Sequence, residues 1–245
     1  MKSVLITGAN KSIGFETARQ LLEKGFYVYM GSRDLTKGME AVEKLKAEGL
    51  INMEAVQIDV SDDKSVSTAR TEIGKKTDVL DILINNAGIN GGLPQTALTA
   101  GIDQFKKVYE TNVFGVVRVT QAFIDLLKKS PEPRIVNVSS SQGSLTLASN
   151  PAHIYYQHKG AVYQSSKSAL NMYTIALAYE LRDTNFKVNA IDPGFTKTDF
   201  NHHRGTGTVE DAGKRVVKYA LIDKDGPTGK YFSEELYPET EECPW

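Results

Sequence analysis

The strongest constraint on the fold is a short apolar run that passes directly into a glycine turn and then into a helical pattern. The run Val4–Ile6 predicts a buried strand, and the following turn holds Gly8 and Gly14. Glycines in such a turn let the backbone approach a pyrophosphate, whose charge is met by N–H groups at the helix N-terminus. An ordinary tight turn is the alternative, but the position at the start of an alternating chain favours a dinucleotide site.

Apolar runs alternate with helical patterns along the whole chain. Further candidate strands lie at Phe26–Met30, Glu54–Ile58, Val79–Ile84, Arg134–Val138, Phe186–Ile191 and Gly229–Ser233. This alternation predicts an α/β fold, a doubly wound parallel sheet of the Rossmann type with about seven strands and helices on both faces. A length of 245 residues is ordinary for one such domain, so residues 1–245 are expected to form a single domain.

Three local features are predicted within this pattern. Ser61 is placed to cap the helix that runs from about Asp62 to Gly74. The segment Asn90–Gly101, rich in glycine and threonine, is predicted to be a loop. Apolar residues from Ala169 to Leu181, with Met172 among them, predict a long amphipathic helix.

The end of the second predicted strand bears on the choice of cofactor. An NAD site usually places an acidic residue there to hold the ribose 2′-hydroxyl. Here Ser32 takes that position and Arg33 follows it, so no carboxylate repels a 2′-phosphate and an arginine is close by to bind one. Lys11 in the glycine turn is a second cation placed to reach the phosphate. These features favour NADPH, although charged groups in such loops are usually solvated surface.

Small polar residues follow two further strands, at the edge where open α/β sheets bind ligands. Asn85–Gly88 follows the fourth strand and Ser139–Ser141 follows the fifth. A hydroxyl there is able to hydrogen-bond a substrate oxygen, and a serine-rich turn is the alternative. Asn112 is polar among apolar neighbours, and from the local pattern alone a helix cap or a satisfied core amide is the favoured interpretation.

Tyr163 and Lys167 stand four residues apart in a helical pattern, so their side chains share one face of the helix. The unperturbed pKa of tyrosine is about 10, and a neighbouring ammonium group favours the phenolate, which suits Tyr163 to general acid–base catalysis. Reduction of a carbonyl by hydride leaves an alkoxide that needs such a proton donor. Tyr155 and Lys159 repeat the spacing, and a solvated helix face is the alternative for either pair.

Composition argues against several classes of function. A formal net charge of −1 without a basic run argues against nucleic acid or an anionic membrane surface as a partner. No apolar stretch approaches the length of a membrane span and none resembles a signal-peptide core, so a cytoplasmic protein is expected. The single cysteine, Cys243, excludes an internal disulfide and a cysteine-based metal site, and no metal is expected.

With these pieces placed, the chain resembles the short-chain dehydrogenase/reductase family over nearly its whole length, and within it the NADPH-dependent carbonyl-reductase-like members. The resemblance rests on features that occur in the family's order: Thr7-Gly8 to Gly14, Asp59-Val60, Asn85 to Gly88, Asn112, Ser140, Tyr163 with Lys167, and Pro193-Gly194 with Thr198. Of the two candidate lysines, only Lys167 is followed by Pro193-Gly194 at the family's interval, which selects Tyr163 over Tyr155.

The resemblance implies a role for each of these residues. Tyr163 is the general acid, and Lys167 lowers its pKa and holds the nicotinamide ribose. Ser140 orients the substrate carbonyl, with Ser141 as the alternative, and Asn112 supports a water-mediated proton relay. The implied cofactor contacts are Gly8, Asn10, Lys11, Ser12, Ile13, Gly14, Ser32, Arg33, Asp59, Val60, Asn86, Ala87, Gly88, Tyr163, Lys167, Pro193, Gly194, Thr196 and Thr198.

The chain departs from the family pattern in two places. Ser12 stands where the family's turn carries a third glycine, and its hydroxyl is able to donate to a phosphate. Ser140 and Tyr163 lie 23 residues apart, further than is usual in the family. The extra segment, Leu145–Gly160, is expected to border the substrate pocket or a subunit contact.

The leading hypothesis is NADPH-dependent reduction of a ketone or aldehyde, a small-molecule substrate, by a protein for which a homodimer and a homotetramer both remain open. One alternative is an NAD(P)-dependent alcohol dehydrogenase that works in the oxidative direction. Another is a catalytically silent nucleotide-binding protein that acts as a sensor or in assembly. The presence of Asn112, Ser140, Tyr163 and Lys167 together argues against silence.

Overall fold

The computed structural model describes residues 1–245 and contains one sheet of seven strands. The strands are β1 (Ser3–Ile6), β2 (Tyr27–Ser32), β3 (Met53–Gln57), β4 (Ile82–Asn85), β5 (Arg134–Val138), β6 (Lys187–Ile191) and β7 (Tyr231–Phe232). Their spatial order is β3-β2-β1-β4-β5-β6-β7, and every neighbouring pair is parallel. The predicted doubly wound parallel sheet is confirmed.

Eight α-helices connect the strands. They are α1 (Ser12–Glu23), α2 (Leu35–Ala47), α3 (Asp63–Gly74), α4 (Ile102–Tyr109), α5 (Gly115–Leu127), α6 (Leu145–Ser149), α7 (Ala161–Glu180) and α8 (Val209–Ala220). A single π-helical turn, Glu110–Phe114, joins α4 to α5. The predicted loop from Asn90 to Gly101 contains neither helix nor strand. None of these helices combines the length and the apolar character that a membrane crossing requires.

Side chains along each strand alternate between two apolar cores, one on each face of the sheet. In β1, Val4 and Ile6 pack into the core covered by α1, α2 and α8, whereas Leu5 packs into the core covered by α3, α5 and α7. All three side chains are completely buried. Burial of one such side chain stabilises the folded state by about 1.5–3 kcal/mol. A strand that is buried on both faces therefore consists of an unbroken run of apolar residues.

The direction of winding reverses at β1. Strands β2 and β3 lie on one side of it and β4 to β7 on the other, so the carboxyl ends of β1 and β4 flank a topological switch point. The N–H of Thr7 donates to the carbonyl of Ile84 at 3.0 Å and holds the two strand ends together. Ligands of open α/β sheets bind in the crevice at such a point.

The predicted cap of α3 is wrong by one residue. Asp62 caps the helix, because its carboxylate accepts from the N–H of Lys64 at 2.8 Å and from that of Ser65 at 3.3 Å. Ser61 instead donates its hydroxyl to Asp59 Oδ1 at 2.6 Å. A carboxylate is stabilised at the positive end of the helix dipole, which favours Asp62 over the neutral hydroxyl.

The long helix predicted around Tyr163 is confirmed as α7, but its buried face is more polar than the hydropathy pattern predicts. Met172, assigned to the apolar stripe, is 58% exposed, whereas Asn171 and Thr174 are buried. Thr174 Oγ1 accepts a hydrogen bond from Asn137 Nδ2 of β5 at 2.9 Å. A polar side chain with such a partner is buried at little cost, so hydropathy alone misplaces the face.

Candidate active site

The glycine turn between β1 and α1 has the tight backbone that its sequence predicts. A Cβ on Gly14 would lie 2.4 Å from the Gly8 carbonyl oxygen, so no other residue fits there. Ser12 has a φ of +51°, in the left-handed region that glycine adopts most easily. This conformation explains why a glycine is favoured at that position of the turn. Of the other predicted contacts in the turn, Asn10 and Ile13 are half-buried and Lys11 is exposed.

Thr7 and Asn86 fasten the glycine turn to the loop after β4. Thr7 Oγ1 accepts from the N–H groups of Asn86 and Ala87, both at 3.0 Å. Asn86 Nδ2 donates back to the carbonyls of Thr7 at 2.9 Å and Gly8 at 3.1 Å. These four bonds fix both sides of the switch point, and sequence reasoning gave Thr7 no role of its own.

The residues predicted to choose the cofactor lie at the end of β2 and in the glycine turn. Ser32 is 1% exposed, and its hydroxyl donates to the carbonyl of Asp34 at 2.7 Å. Arg33 is exposed and makes no ion pair. Lys11 differs from the expectation, because its Nζ lies 3.0 Å from Asp199 Oδ2 in the segment after β6. Arg33 is therefore the cation at this strand end that no carboxylate engages.

Lys167 lies in the interior, one turn after Tyr163 on α7. It is 5% exposed, and its Nζ donates to the carbonyl of Val138 at 2.8 Å. Burial lowers its pKa to about 8, and attraction to Asp192 offsets part of that effect. An ammonium group has three N–H donors and Val138 accepts one, so two remain for a ligand.

The pKa of Tyr163 differs from the sequence-based expectation. Burial raises it above the ordinary value, the neighbouring Ser140 hydroxyl lowers it by less, and Asp192 raises it further. The Lys167 ammonium lies 5.8 Å from the centre of the phenol ring and is bonded to Val138. Desolvation therefore outweighs the predicted lowering by Lys167, and Tyr163 is a protonated phenol at neutral pH.

Ser140 is the serine of its triplet that neighbours Tyr163. Ser139 is 3% exposed, and its hydroxyl donates to Asn171 Oδ1 of α7 at 2.6 Å. Ser140 lies at the start of a 3-10 turn, where its Oγ accepts from the N–H of Gln142 at 3.3 Å. The geometry favours Ser140 over Ser141, because Ser140 is the half-buried hydroxyl with an effect on the phenol.

Gly143 allows this 3-10 turn to approach α7. A Cβ on Gly143 would lie 2.7 Å from Lys167 Cβ, which leaves no room for a side chain. The close contact keeps the serine turn against the first half of the helix. Ser140 and Tyr163, far apart in the sequence, are brought together in this way.

Asn112 lies within the π-helical turn and is completely buried. Its Oδ1 accepts from the N–H of Ile89 at 2.9 Å, and its Nδ2 donates to the Ile89 carbonyl at 2.9 Å and to Ser166 Oγ at 3.1 Å. A Cβ on Gly88 would lie 3.4 Å from Asn112 Oδ1 and 3.7 Å from Lys167 Nζ. The structure thus brings Gly88, Asn112 and Lys167 together. The side-chain amide of Asn112 is buried with hydrogen-bond partners, as the local sequence pattern predicts.

Asp59 and Val60 follow β3, at the outer part of the same edge. Asp59 Oδ1 accepts from the N–H of Ser61 at 3.0 Å. Val60 packs against Gly115, where a Cβ would lie 2.8 Å from Val60 Cγ2. Val60 thus holds the segment after β3 close to the start of α5, whereas Asp59 stabilises its own turn.

The predicted contacts after β6 form a tight turn that leads to α8. Gly194 has a φ of +86°, and Arg215 Nη1 donates to the Pro193 carbonyl at 2.7 Å. Thr196 is 4% exposed, and its hydroxyl donates to the Gly194 carbonyl at 3.2 Å. Thr198 is 6% exposed and precedes a 3-10 turn. The next residues of this segment include Phe200, whose ring packs against that of Tyr163.

Phe200 covers Tyr163. The two rings meet edge to face, with centroids 5.5 Å apart and an angle of 62° between their planes. Asn90 Nδ2, in the loop after β4, donates to the Phe200 carbonyl. Sequence reasoning assigned Phe200 no role, because nothing in a pattern after β6 marks one aromatic residue as the neighbour of a helix 37 positions earlier.

A doubly wound sheet with a glycine turn at its switch point, and a phenol, a hydroxyl and a buried ammonium group at the same edge, defines a nicotinamide-dependent oxidoreductase. The family model described as short chain dehydrogenase matches residues 2–208. The chain belongs to this family, and the resemblance inferred from the motifs is confirmed.

Relatives and solved structures agree with this assignment. The chain is 34% identical to the (+)-neomenthol dehydrogenase of Capsicum annuum, with 93% of this chain and 94% of that protein covered. Salutaridine reductase from Papaver somniferum has a TM-score of 0.84 and 32% identity, covering 95% of this chain and 100% of that chain. The NADPH-bound carbonyl reductase from chicken fatty liver has a TM-score of 0.84 and 27% identity, with 100% and 99% covered.

Proposed function

We propose that this protein is an NADPH-dependent carbonyl reductase that converts a ketone or aldehyde into an alcohol. The observation that carries the proposal is a protonated phenol, Tyr163, beside the Ser140 hydroxyl and one helical turn from the buried ammonium of Lys167. Two of the similar structures are reductases by name, which supports a carbonyl as the substrate.

The residues at this edge fit a nicotinamide cofactor. Lys167 has two N–H donors without a partner, and buried donors of this kind suit the hydroxyls of a ribose. Gly88 lies beside Lys167 and has no side chain to fill the space. The glycine turn at the N-terminus of α1 suits a pyrophosphate, since its N–H groups and the helix dipole both favour an anion.

NADPH, when bound, supplies the hydride, and the protein supplies the proton. Tyr163 Oη holds its proton at neutral pH because burial raises its pKa. It donates that proton to the substrate oxygen as negative charge develops there, and the Ser140 hydroxyl donates a hydrogen bond to the same oxygen. General acid catalysis of this kind contributes about 10²–10⁴-fold.

Lys167 and Asn112 support this proton transfer. The Lys167 ammonium stabilises the negative charge that the phenol acquires when it gives up its proton, since a cation favours the phenolate. Asn112 holds the backbone of Ile89 through two hydrogen bonds. We propose that it also supports a water-mediated proton relay.

The protonation state of Tyr163 near neutral pH agrees with reduction. Reduction needs the protonated phenol, and burial raises the pKa of Tyr163 above its ordinary value. Oxidation of an alcohol needs the phenolate as a base, so the oxidative direction is expected to require a higher pH.

The choice of NADPH over NADH rests on charge at the end of β2. Ser32 places no carboxylate beside the ribose, and Arg33 is exposed without a carboxylate partner. A guanidinium group binds phosphate oxygens in a planar, bidentate arrangement. The NADPH-bound state of the chicken carbonyl reductase points in the same direction.

The test is consumption of NADPH with a panel of aromatic aldehydes, cyclic ketones, quinones and ketosteroids. Replacing Tyr163 with Phe should lower kcat by at least about 10²-fold while NADPH binding stays close to that of the parent, because the change removes a proton donor and little volume. Tyr155→Phe is the matched control and should retain turnover. A Tyr163→Phe protein within a few-fold of the parent, or an inactive Tyr155→Phe protein, would contradict the assignment.

A further inference from the structure

Gln95 lies in the loop after β4 and is 5% exposed, although its side chain is a polar amide. Its Oε1 accepts from the N–H of Tyr163 at 2.8 Å, and its backbone carbonyl accepts from the N–H of Ala161 at 2.9 Å. Its Nε2 donates to the carbonyl of Gly92 at 2.7 Å and to that of Asn90. One residue therefore bonds both the helix that carries the phenol and the loop that faces it.

The N-terminus of α7 has no other cap. The residue before the helix, Gly160, has no side chain, and the first turn holds no acidic residue. The first N–H groups of a helix have no partner within the helix and leave the first turn prone to fray unless they are capped. Gln95 satisfies two of these N–H groups from a distant part of the sequence, and one of them belongs to Tyr163 itself, 68 positions away.

The same amide reaches the cover of the site through its other end. Gln95 Nε2 holds the carbonyl of Asn90, and the Asn90 side chain donates to the carbonyl of Phe200. The Phe200 ring in turn lies against the ring of Tyr163. The acceptor end of the amide thus fixes the helix, and its donor end fixes the loop that holds the cover.

We propose that Gln95 is a positioning residue of the active site: its Oε1 sets the place of Tyr163 by capping α7, and its Nε2 sets the cover above it. This role rests on the proposed function of Tyr163 as the proton donor. The two ends of one amide then have separable effects, the acceptor on kcat and the donors on the affinity for the carbonyl substrate.

Two variants of Gln95 separate the two ends. Gln95→Met removes acceptor and donors at similar volume. The phenol then shifts and gains water, so kcat should fall about ten- to a hundredfold. Hydration should also move the Tyr163 pKa down toward its ordinary value, so kcat should decline with rising pH at a lower pH than in the parent.

Gln95→Glu keeps an acceptor for the Tyr163 N–H and loses both donors. Its kcat should stay within about threefold of the parent while KM for the carbonyl substrate rises several-fold. A carboxylate beside the helix start disfavours a phenolate nearby, so the decline of kcat with pH should not move to lower pH.

Gln104→Met is the matched control. Gln104 Nε2 donates to the carbonyls of Gly91 at 3.0 Å, Gly92 at 3.2 Å and Pro94 at 3.3 Å, but makes no hydrogen bond to α7. Its loss loosens the same loop without uncapping the helix. We expect a higher carbonyl KM with the kcat and the pH profile of the parent.

The measurements are kcat, carbonyl KM and the pH profile of kcat with NADPH and the fastest substrate of the panel, together with NADPH affinity as a check of the fold. A Gln95→Met protein with the kcat and pH profile of the parent would overturn the proposal, as would a folded Gln95→Glu protein as slow as Gln95→Met. If Gln95→Met does not fold, the kcat of Gln95→Glu decides alone. An active Tyr163→Phe protein would instead refute the proposed function, which the Gln95 variants do not test.

Discussion

A buried ammonium group with a single hydrogen bond is rare in a protein interior, and Lys167 is one. Its burial lowers the pKa to about 8, which means that the folded state disfavours the charge that the mechanism uses. Asp192 attracts that charge but offsets only part of the desolvation. At the scale of single residues, the site is arranged for catalysis at the expense of stability, as is common for functional sites.

Lys167→Met should therefore abolish turnover yet stabilise the cofactor-free protein at pH 7. Below pH 8 the ammonium is charged in the folded and unfolded states alike, so the folded state bears the full desolvation cost. From about 8 to the ordinary 10.5 the folded state loses its proton first and the cost fades. The shift corresponds to roughly 3 kcal/mol.

Urea unfolding of parent and Lys167→Met at pH 7 and above pH 10 measures this difference. The variant should be the more stable protein at pH 7, and the advantage should shrink as pH rises through that window. A variant less stable than the parent at pH 7 would show that the ammonium has bonds in the folded state that the structure does not contain.

The second prediction at the residue scale concerns Arg33. Arg33→Gln should lower the preference for NADPH over NADH by about tenfold or more, because a charge-assisted hydrogen bond to phosphate is lost. Adding Ser32→Asp should raise activity with NADH further, because a carboxylate at this position holds the ribose 2′-hydroxyl of NADH. Ser32 is 1% exposed and lies against Gly38 of α2, so the longer Asp side chain of the double variant needs a local rearrangement.

The measurement is kcat/KM with each cofactor at one salt concentration. Lys44→Gln, at the far end of α2, is the matched control for loss of one positive charge and should leave the preference unchanged. Equal efficiency of the parent with the two cofactors would contradict the NADPH assignment.

At the scale of elements, the sequence predicts the features that follow a repeating or local pattern. It does not predict those that depend on contacts between residues far apart in the sequence. The strands and the glycine turn are predictable, because burial on both faces produces apolar runs and close packing demands glycine at residue 14. The position of Ser140 beside Tyr163 is predictable through motif order. Gln95 is not, since its partner lies 68 positions away and a glutamine in a loop carries no local signal.

The helix start of α3 gives an element-scale prediction. Asp62→Ala should destabilise the protein by about 1 kcal/mol, because it removes the acceptor of two N–H groups at the helix start. Ser61→Ala is the matched control, since the Ser61 hydroxyl bonds Asp59 rather than the helix, and its effect should be smaller. Thermal or urea unfolding ranks the two. A larger loss of stability for Ser61→Ala than for Asp62→Ala would show that Ser61 caps α3, as the sequence pattern predicts.

At the scale of the whole molecule, the first helix, α1, packs against the last helix, α8. Gln20 Nε2 of α1 donates to the Glu210 carbonyl of α8 at 3.0 Å. A Cβ on Gly213 would lie 2.8 Å from Glu16 Cγ, so the two helices pack closely. The core that they cover contains residues from both ends of the chain. The sheet order likewise places β1 directly beside β4, so the first three strands and the last four are joined by hydrogen bonds within one sheet.

We therefore propose that residues 1–245 unfold as one cooperative unit, and that NADPH raises the midpoint of that single transition. The glycine turn comes from the first strands and Lys167 from the second half of the chain, so a cofactor held by both stabilises the folded state as a whole. Its effect should approach about 2.7 kcal/mol at a concentration one hundred times the dissociation constant. Calorimetry with and without NADPH, alongside far-ultraviolet circular dichroism and tyrosine fluorescence, measures this. Coincident transitions that shift together are expected, and two separate transitions, with only one moved by NADPH, would show that the chain holds two domains.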